Sequence, residues 1–398
     1  MASRFRPTVV VSLVYASTAV VWASYSLLSV VLPFRFQSLG LSVVQYGLAI
    51  AVFALGMLIT ETVWGLVAFR IGNLRTILAL GLVVLALYLG IGMATSFLAL
   101  AISLGLFGAL IIYPVPLFRW MAMIAGGPGT EGTGTGRYGL FFGGGMVIGA
   151  TLGPFLYATI GFAALVVVVI ATYATGLALM AFLPWQQARL PRAEHGSVSL
   201  IRRVLTIPFL LASLLAVIAY LALTLVINFL QLYSIASFHG TQADAGYVIG
   251  LARATLLVAG FLLGGTVDRF RPLRSVPFGF LLIALGAFGT LFSTNYPEMI
   301  GATVMLATGM GWLSASLLPM ALTGMPVTLQ GTAVGVFGSF EDLGLLIGPI
   351  VISGAYAAYG VNSMFLLVGL VALGGAFLAG IIWLGHWGPW RDPNPAGR

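Results

Sequence analysis

Of 398 residues, 60% are hydrophobic and only 7% charged, against roughly 25% charged residues in an ordinary soluble domain. So few charges cannot cover the surface of a water-soluble fold of this length, and the composition therefore points to a polytopic helical membrane protein. Seventeen arginines, no lysine and nine acids give a net charge of +8, and the absence of cysteine removes disulfides, thiol catalysis and cysteine metal sites.

The chain starts with "MASRFRP". Its basic start suits a signal peptide, but the apolar stretch from Thr8 to Phe34 is too long for one and lacks an A-x-A cleavage site, which predicts a retained first helix. Apolar runs long enough to cross a ~30 Å hydrocarbon core follow along the whole chain. Twelve spans are predicted: 9–33, 43–67, 74–93, 97–118, 138–159, 161–183, 206–231, 244–266, 275–293, 298–322, 332–356 and 362–384. An even number leaves both termini on one side. With the termini in the cytoplasm, fifteen of the seventeen arginines fall in cytoplasmic loops, ends and tails, the exceptions being Arg35 near an outer end and Arg253 inside span 8. The basic balance is thus a topology signal, with some attraction to anionic membrane lipid, and no nucleic-acid partner is expected. The expected location is the cell (inner or plasma) membrane with both termini cytoplasmic.

The segment "PWQQARLPRAEHGSVSLIRR" (184–203) divides the chain into six spans and six spans. The expected domains are an N-terminal bundle (1–184), a cytoplasmic linker (185–203) and a C-terminal bundle (204–398). The halves resemble each other. "LGLSVVQYG" (39–47) aligns with "FHGTQADAG" (238–246), and in both a hydroxyl is followed three positions later by an amide or acid, Ser42/Gln45 and Thr241/Asp244. That is a capping box, which satisfies the open amides starting spans 2 and 8. In span 5, Gly149-x-x-x-Gly153-Pro154 matches Gly344-x-x-x-Gly348-Pro349 of span 11. Small residues at that spacing let helices pack closely, and the proline sets a local bend. Repeated bundles in a membrane imply alternating access to a solute site near the midplane between them.

The stretches after spans 2 and 8 read "GLVAFRIGNLR" (65–75) and "GGTVDRFRPLR" (264–274). These resemble the two copies of the G-x-L-a-D-R-x-G-R-R loop of the major facilitator superfamily, and the likeness extends over essentially the whole chain, including "GTAVGVFGSFEDLGLLIGP" in span 11. It implies an all-α membrane protein of twelve transmembrane helices in two pseudo-symmetric six-helix bundles, with these loops latching the cytoplasmic side. The first copy keeps Gly65, Arg70 and Gly72 but has Phe69 where the family has aspartate, and Glu61, one turn earlier, is a candidate substitute. The second keeps Gly264, Asp268 and Arg269 but has Arg271 in place of the later glycine. Proton-coupled drug exporters of the superfamily carry an arginine in helix 4 where this chain has Ala101. Their helix-5 motif ends in two glycines where this chain has Tyr157 and Ala158.

Arg253 lies at the centre of span 8, and Glu341 and Asp342 lie within about 5 Å of the centre of span 11. A charge at that depth costs about 2.5–3.5 kcal/mol and must find a partner or a wet cavity; by the family resemblance, helices 8 and 11 border the central cavity. The expectation is that Arg253 pairs with one acid while the other takes up a proton, since adjacent helix positions diverge by about 100°. Glu341, the longer, is preferred for titration. Trp22, Tyr25, Tyr113, Tyr220, Asn228, Gln231 and Trp312 are the candidate cavity residues, an apolar aromatic set with a few polar groups that suits a small organic solute.

"GTGRYG" (134–139) matches a dinucleotide fingerprint by letter, but no strand or βαβ unit precedes it, and a P-loop needs the lysine this chain lacks. His195, His239 and His386 are far apart in sequence, so no metal and no cofactor is expected, nor an enzyme. The reading is a monomeric secondary transporter of a small organic solute, coupled to protons, with export of drugs or amphipathic metabolites foremost and a carrier of organic anions such as monocarboxylates, favoured by Arg253, as the alternative.

Overall fold

The computed structural model describes residues 7–71, 73–111, 131–182, 198–270 and 272–384. In the first half, α1 (Pro7–Ser29) continues into α2 (Leu32–Ser38), followed by α3 (Val43–Ile71), α4 (Asn73–Met93), α5 (Phe97–Ile111) and the long α6 (Glu131–Ala181). In the second, a short α7 (Val198–Val204) precedes α8 (Ile207–Thr224). A π-helical turn (Leu225–Phe229) joins α8 to α9 (Leu230–Phe238), and α10 (Gln242–Phe270), α11 (Pro272–Phe292), α12 (Tyr296–Leu322), α13 (Val327–Tyr359) and α14 (Asn362–Leu384) follow. Among the described residues, nine segments are long and apolar enough to cross a membrane, and Ile77–Met93 and Phe97–Ile111 are shorter apolar helices. Gly161, at φ 78° and ψ 172°, breaks α6 into two arms, so one of those segments is two crossings.

The predicted spans differ from the helices mainly at their ends. The first was expected to stop at 33, at a proline; the helix instead breaks at residues 30–31 and resumes, because Pro33 sits in the first turn of α2, where its missing N–H would go unused. The seventh was expected to stop at 231 but runs on to Phe238, since the π turn absorbs an extra residue without ending the helix. Both motif copies that were expected in loops lie largely within the ends of α3 and α10.

The repeat is visible in the backbone. Gly40 (φ 71°) and His239 (φ 51°) close equivalent turns, as do Gly161 (φ 78°) and Gly360 (φ 83°). Each capping box is formed. Ser42 N–H donates to Gln45 Oε1 at 2.9 Å and Gln45 N–H to Ser42 Oγ at 3.2 Å, while Thr241 N–H donates to Asp244 Oδ2 at 2.8 Å and Asp244 N–H to Thr241 Oγ1 at 3.2 Å. A related cap starts α12 without having been read from the sequence: Glu298 N–H donates to Asn295 Oδ1, and the Asn295 side-chain amide and Thr294 N–H donate to the Glu298 carboxylate.

Glycines set how closely these helices approach. Along α6, Gly145, Gly149 and Gly153 lie against the carbonyls of Ala19, Ala23 and Leu27 on α1, one turn apart on both helices, and a Cβ at any of them would collide with backbone. In the second half, Gly344 of α13 meets the Val217 carbonyl of α8 and Gly348 meets Thr224. The same device joins the halves. Gly47 of α3 sits against Pro349 and Ser353 of α13, and Gly246 and Gly250 of α10 sit against Pro154 and Thr151 of α6. These cross-half approaches belong to the halves of the helices remote from the termini, and Tyr46 reinforces them by donating through its hydroxyl to the Asn228 carbonyl at 3.3 Å and packing edge-on against Phe229.

Two substitutions test these seams. Gly149→Ala should destabilise the purified protein by about 1–3 kcal/mol through overpacking, whereas Gly144→Ala, with open space around it, should leave the melting temperature unchanged or raised; equal effects would contradict the seam. At the cross-half contact, Gly47→Val should part the halves. A cysteine placed at buried Ser353, in a chain with no cysteine of its own, should then react about tenfold faster with a maleimide, corresponding to a shift of about 1.4 kcal/mol, and an unchanged rate would refute the contact's role.

Candidate functional site

A cavity of about 430 Å³ lies between the halves, lined by α1, α2, α3, α5 and α6 on one side and by α8, the π turn, α10, α12 and α13 on the other. The two walls differ in chemistry. The first half contributes the rings of Trp22, Tyr25, Phe53, Phe107 and Phe142. Trp22 packs on Phe142 with centroids 4.4 Å apart, and Tyr25 stacks near-parallel to Phe53 and Phe107 at 6.0 and 6.2 Å. The second half contributes Tyr220, Asn228, Arg253 and Ser314 among apolar side chains. Offset aromatic packing fixes these rings as a preformed surface. Met310, Leu313, Ser314 and Leu317 face the cavity from α12 at helical spacing.

Among the described lining residues, Arg253 is the one with a formal charge, and it is 7% exposed. Its Nη1 donates to Ser26 Oγ of α1, and the Ser26 hydroxyl in turn donates to the Met146 carbonyl of α6 at 2.6 Å. The arginine of one half is therefore anchored on a neutral relay of the other. Its Nε has no partner among the described residues. The expected ion pair with Glu341 or Asp342 is not formed. The reason is the helix neighbourhood: α10 packs between α6 and α12, whereas α13 packs against α3 and α8, so charges at similar depth lie on different seams. Asp342 is buried and Glu341 half-buried, and neither lines the cavity, although Leu345, one turn along α13, does.

Of the expected cavity residues, Trp22, Tyr25, Tyr220 and Asn228 line it. Two do not. Trp312 falls outside the α12 stripe because consecutive positions rotate by about 100°, and its indole N–H has no partner among the described residues. Gln231 is fully buried one turn beyond Asn228, with both amide atoms unpartnered among the described residues. Tyr113 and Gly72 lie outside the described residues. Glu61, Gly65 and Arg70 are positions of α3, and Gly264, Asp268 and Arg269 are positions of α10, at the ends nearer the termini. Pro154 and Pro349 lie inside α6 and α13 beside the cross-half contacts. Sequence reading missed Ser26, Tyr46, Phe53, Phe107 and Phe142. The available signal was the run of serines Ser24, Ser26 and Ser29 in the second half of α1.

The chain matches the Major Facilitator Superfamily family model over residues 14–348 and again over 212–398. It is 25% identical over 370 residues to the multidrug resistance protein MdtG of Serratia proteamaculans (strain 568), covering 88% of each chain. It is 23% identical over 160 residues to the riboflavin transporter RibZ of Clostridioides difficile (strain 630), a match that spans 35% of this chain and 33% of that one. Among solved structures, a bacterial homolog to the human lysosomal transporter Spinster, in an inward-facing and unoccupied conformation, superposes with a TM-score of 0.81 at 15% identity, covering 98% of this chain and 100% of the other. The nucleoside transporter NupG superposes with a TM-score of 0.77 at 13% identity, covering 94% and 99%. The twelve-crossing fold, the cavity between the halves and these matches together place the chain in the Major Facilitator Superfamily, as an integral membrane transporter rather than an enzyme.

Proposed function

We propose that the protein exports small amphipathic organic molecules across the cell membrane by alternating access, driven by proton entry. The observation that carries this reading is the cavity itself: about 430 Å³, lined by six aromatic rings and touched by a few polar groups, between two halves that meet at glycine contacts. That volume falls within the ~300–1,000 Å³ of small-molecule sites, and the lining is of the kind that grips apolar solutes and orients them by sparse polar contacts. The likeness to a multidrug resistance protein over 88% of the chain supports export. The bundles 1–184 and 204–398 are the moving bodies, joined by the linker 185–203.

The arginine distribution supports cytoplasmic termini. With that orientation the cross-half contacts are on the outer side, so the conformation opens its cavity inward. For export this is the state that loads. Glu341 and Asp342, held at membrane depth on α13, are the proton-carrying candidates, and Glu61, Arg70, Asp268 and Arg269 are the candidate inner latch.

The test uses protein in liposomes with a fluorescent amphiphile. For one-to-one exchange, a gradient of one pH unit should sustain about tenfold accumulation. The Glu341→Gln/Asp342→Asn double variant should lose that accumulation while keeping downhill exchange; accumulation surviving in the double variant would remove both acids from coupling. Separately, Trp22→Ala should weaken half-saturation by about two- to twelvefold, from the ~0.5–1.5 kcal/mol of an aromatic contact, and an unchanged value would take the aromatic wall out of solute binding.

A further inference from the structure

The cavity's electrostatics narrow the solute class further. Arg253 brings a full positive charge to a lining that, among the described residues, contains no carboxylate. Its observed partner, the Ser26 hydroxyl, accepts one N–H and spends its own proton on the Met146 carbonyl, so the relay places the guanidinium without neutralising it. A hydroxyl has one proton to give and the guanidinium five N–H donors, of which the structure commits one to a described residue. Trp22, on the opposite wall and 6% exposed, meets the cavity through its ring, its indole N–H being buried and without a partner among the described residues. A guanidinium is a donor-only group. The cavity therefore offers hydrogens and positive charge, and what it lacks is an acceptor with negative charge.

Facing Arg253 is the aromatic wall of the first half, where Tyr25 lies near-parallel to Phe53 and to Phe107. A flat ring fits such a wall. We propose that the cavity is built for aromatic organic anions, the ring lying against Trp22, Tyr25 and Phe142 and a carboxylate accepting from Arg253. A carboxylate is the acceptor best matched to the planar guanidinium fork, which it can engage through two parallel hydrogen bonds. Occupancy would bridge the halves, since the ring is held by the first and the charge by the second. A cation with an aromatic body would meet the same wall but face Arg253 with a like charge, which makes the sign of the solute the discriminating property.

The proposal rests on the transport reading above and specifies what it carries. It is tested on purified full-length protein in nanodiscs with three probes of one shape: naphthoate, naphthamide and naphthylmethylammonium. Binding is followed by calorimetry. Naphthoate should bind at least about tenfold more tightly than naphthamide, as a charge-assisted pair replaces a neutral one, and the ammonium probe should bind least. In Arg253→Gln the naphthoate preference should vanish while naphthamide affinity stays within about twofold; Arg253→Lys should retain part of the preference, which guards against a glutamine variant that fails to fold. Equal affinities for naphthoate and naphthamide, tighter binding of the cation, no naphthoate binding, or a preference that survives Arg253→Gln would each overturn the proposal. Parallel transport of a neutral amphiphile in liposomes separates the two readings. Transport without anion preference leaves the exporter standing and removes the anion site, whereas no transport of any probe by a normally melting protein removes the exporter itself.

Discussion

Close approach of helix backbones is the constraint on which the rest of this structure depends. In lipid, no hydrophobic effect separates one apolar helix face from another, so helices associate through packing and the few polar contacts available. The chain meets this by placing glycine where another helix must come near. Gly145, Gly149 and Gly153 dock α6 onto three successive turns of α1, and Gly344 and Gly348 dock α13 onto α8. The contacts between halves use the same residue type at Gly47, Gly246 and Gly250 and add the Tyr46 hydroxyl on the Asn228 carbonyl, the Tyr46 ring against Phe229 and the Arg253–Ser26 hydrogen bond. In a two-state carrier these cross-half contacts are the ones a solute must shift, and it can do so only by its differential affinity for the two states.

The cavity inherits its character from which faces these seams leave uncovered. Once α1 is bound to α6, the uncovered faces of the first half carry Trp22, Tyr25 and Phe142, and the second half answers with Arg253 and Asn228. The walls differ in kind despite the pseudo-symmetry of the backbone, one aromatic and the other largely aliphatic with Asn228 and Arg253 set into it. Arg253 is the most demanding feature, since a buried charge without an opposite charge is costly. The protein orients it with a serine and leaves the charge itself uncompensated by any described carboxylate in the cavity.

Much of the fold was legible because membrane crossing imposes a length on apolar segments. α14 occupies the predicted 362–384, and α4 and α5 begin within a residue of their predicted starts. The capping boxes were legible because they are local chemistry. What sequence could not convey is azimuth. Arg253 and the acids of α13 were paired on depth alone, and depth does not say that α10 faces α6 while α13 faces α3. Trp312 failed for the same reason, being correct in height and wrong in direction. The π turn escaped because Leu225–Phe229 has an ordinary helical composition. Ser26 went unremarked since a serine is readily tolerated in a membrane helix, where its hydroxyl finds a backbone carbonyl; its importance comes from what stands opposite.

The account stands or falls on whether occupying the cavity moves the halves. Thr95, between α4 and α5, and Asn362, at the start of α14, are exposed at the ends remote from the termini, one in each half. Spin labels on cysteines at these two positions, read by pulsed dipolar spectroscopy in nanodiscs, report the far-end separation directly. The account predicts a dominant short distance in the unliganded protein and a second, longer population that grows as an amphipathic solute is titrated. One distance distribution, identical at every solute concentration that saturates binding, would contradict it.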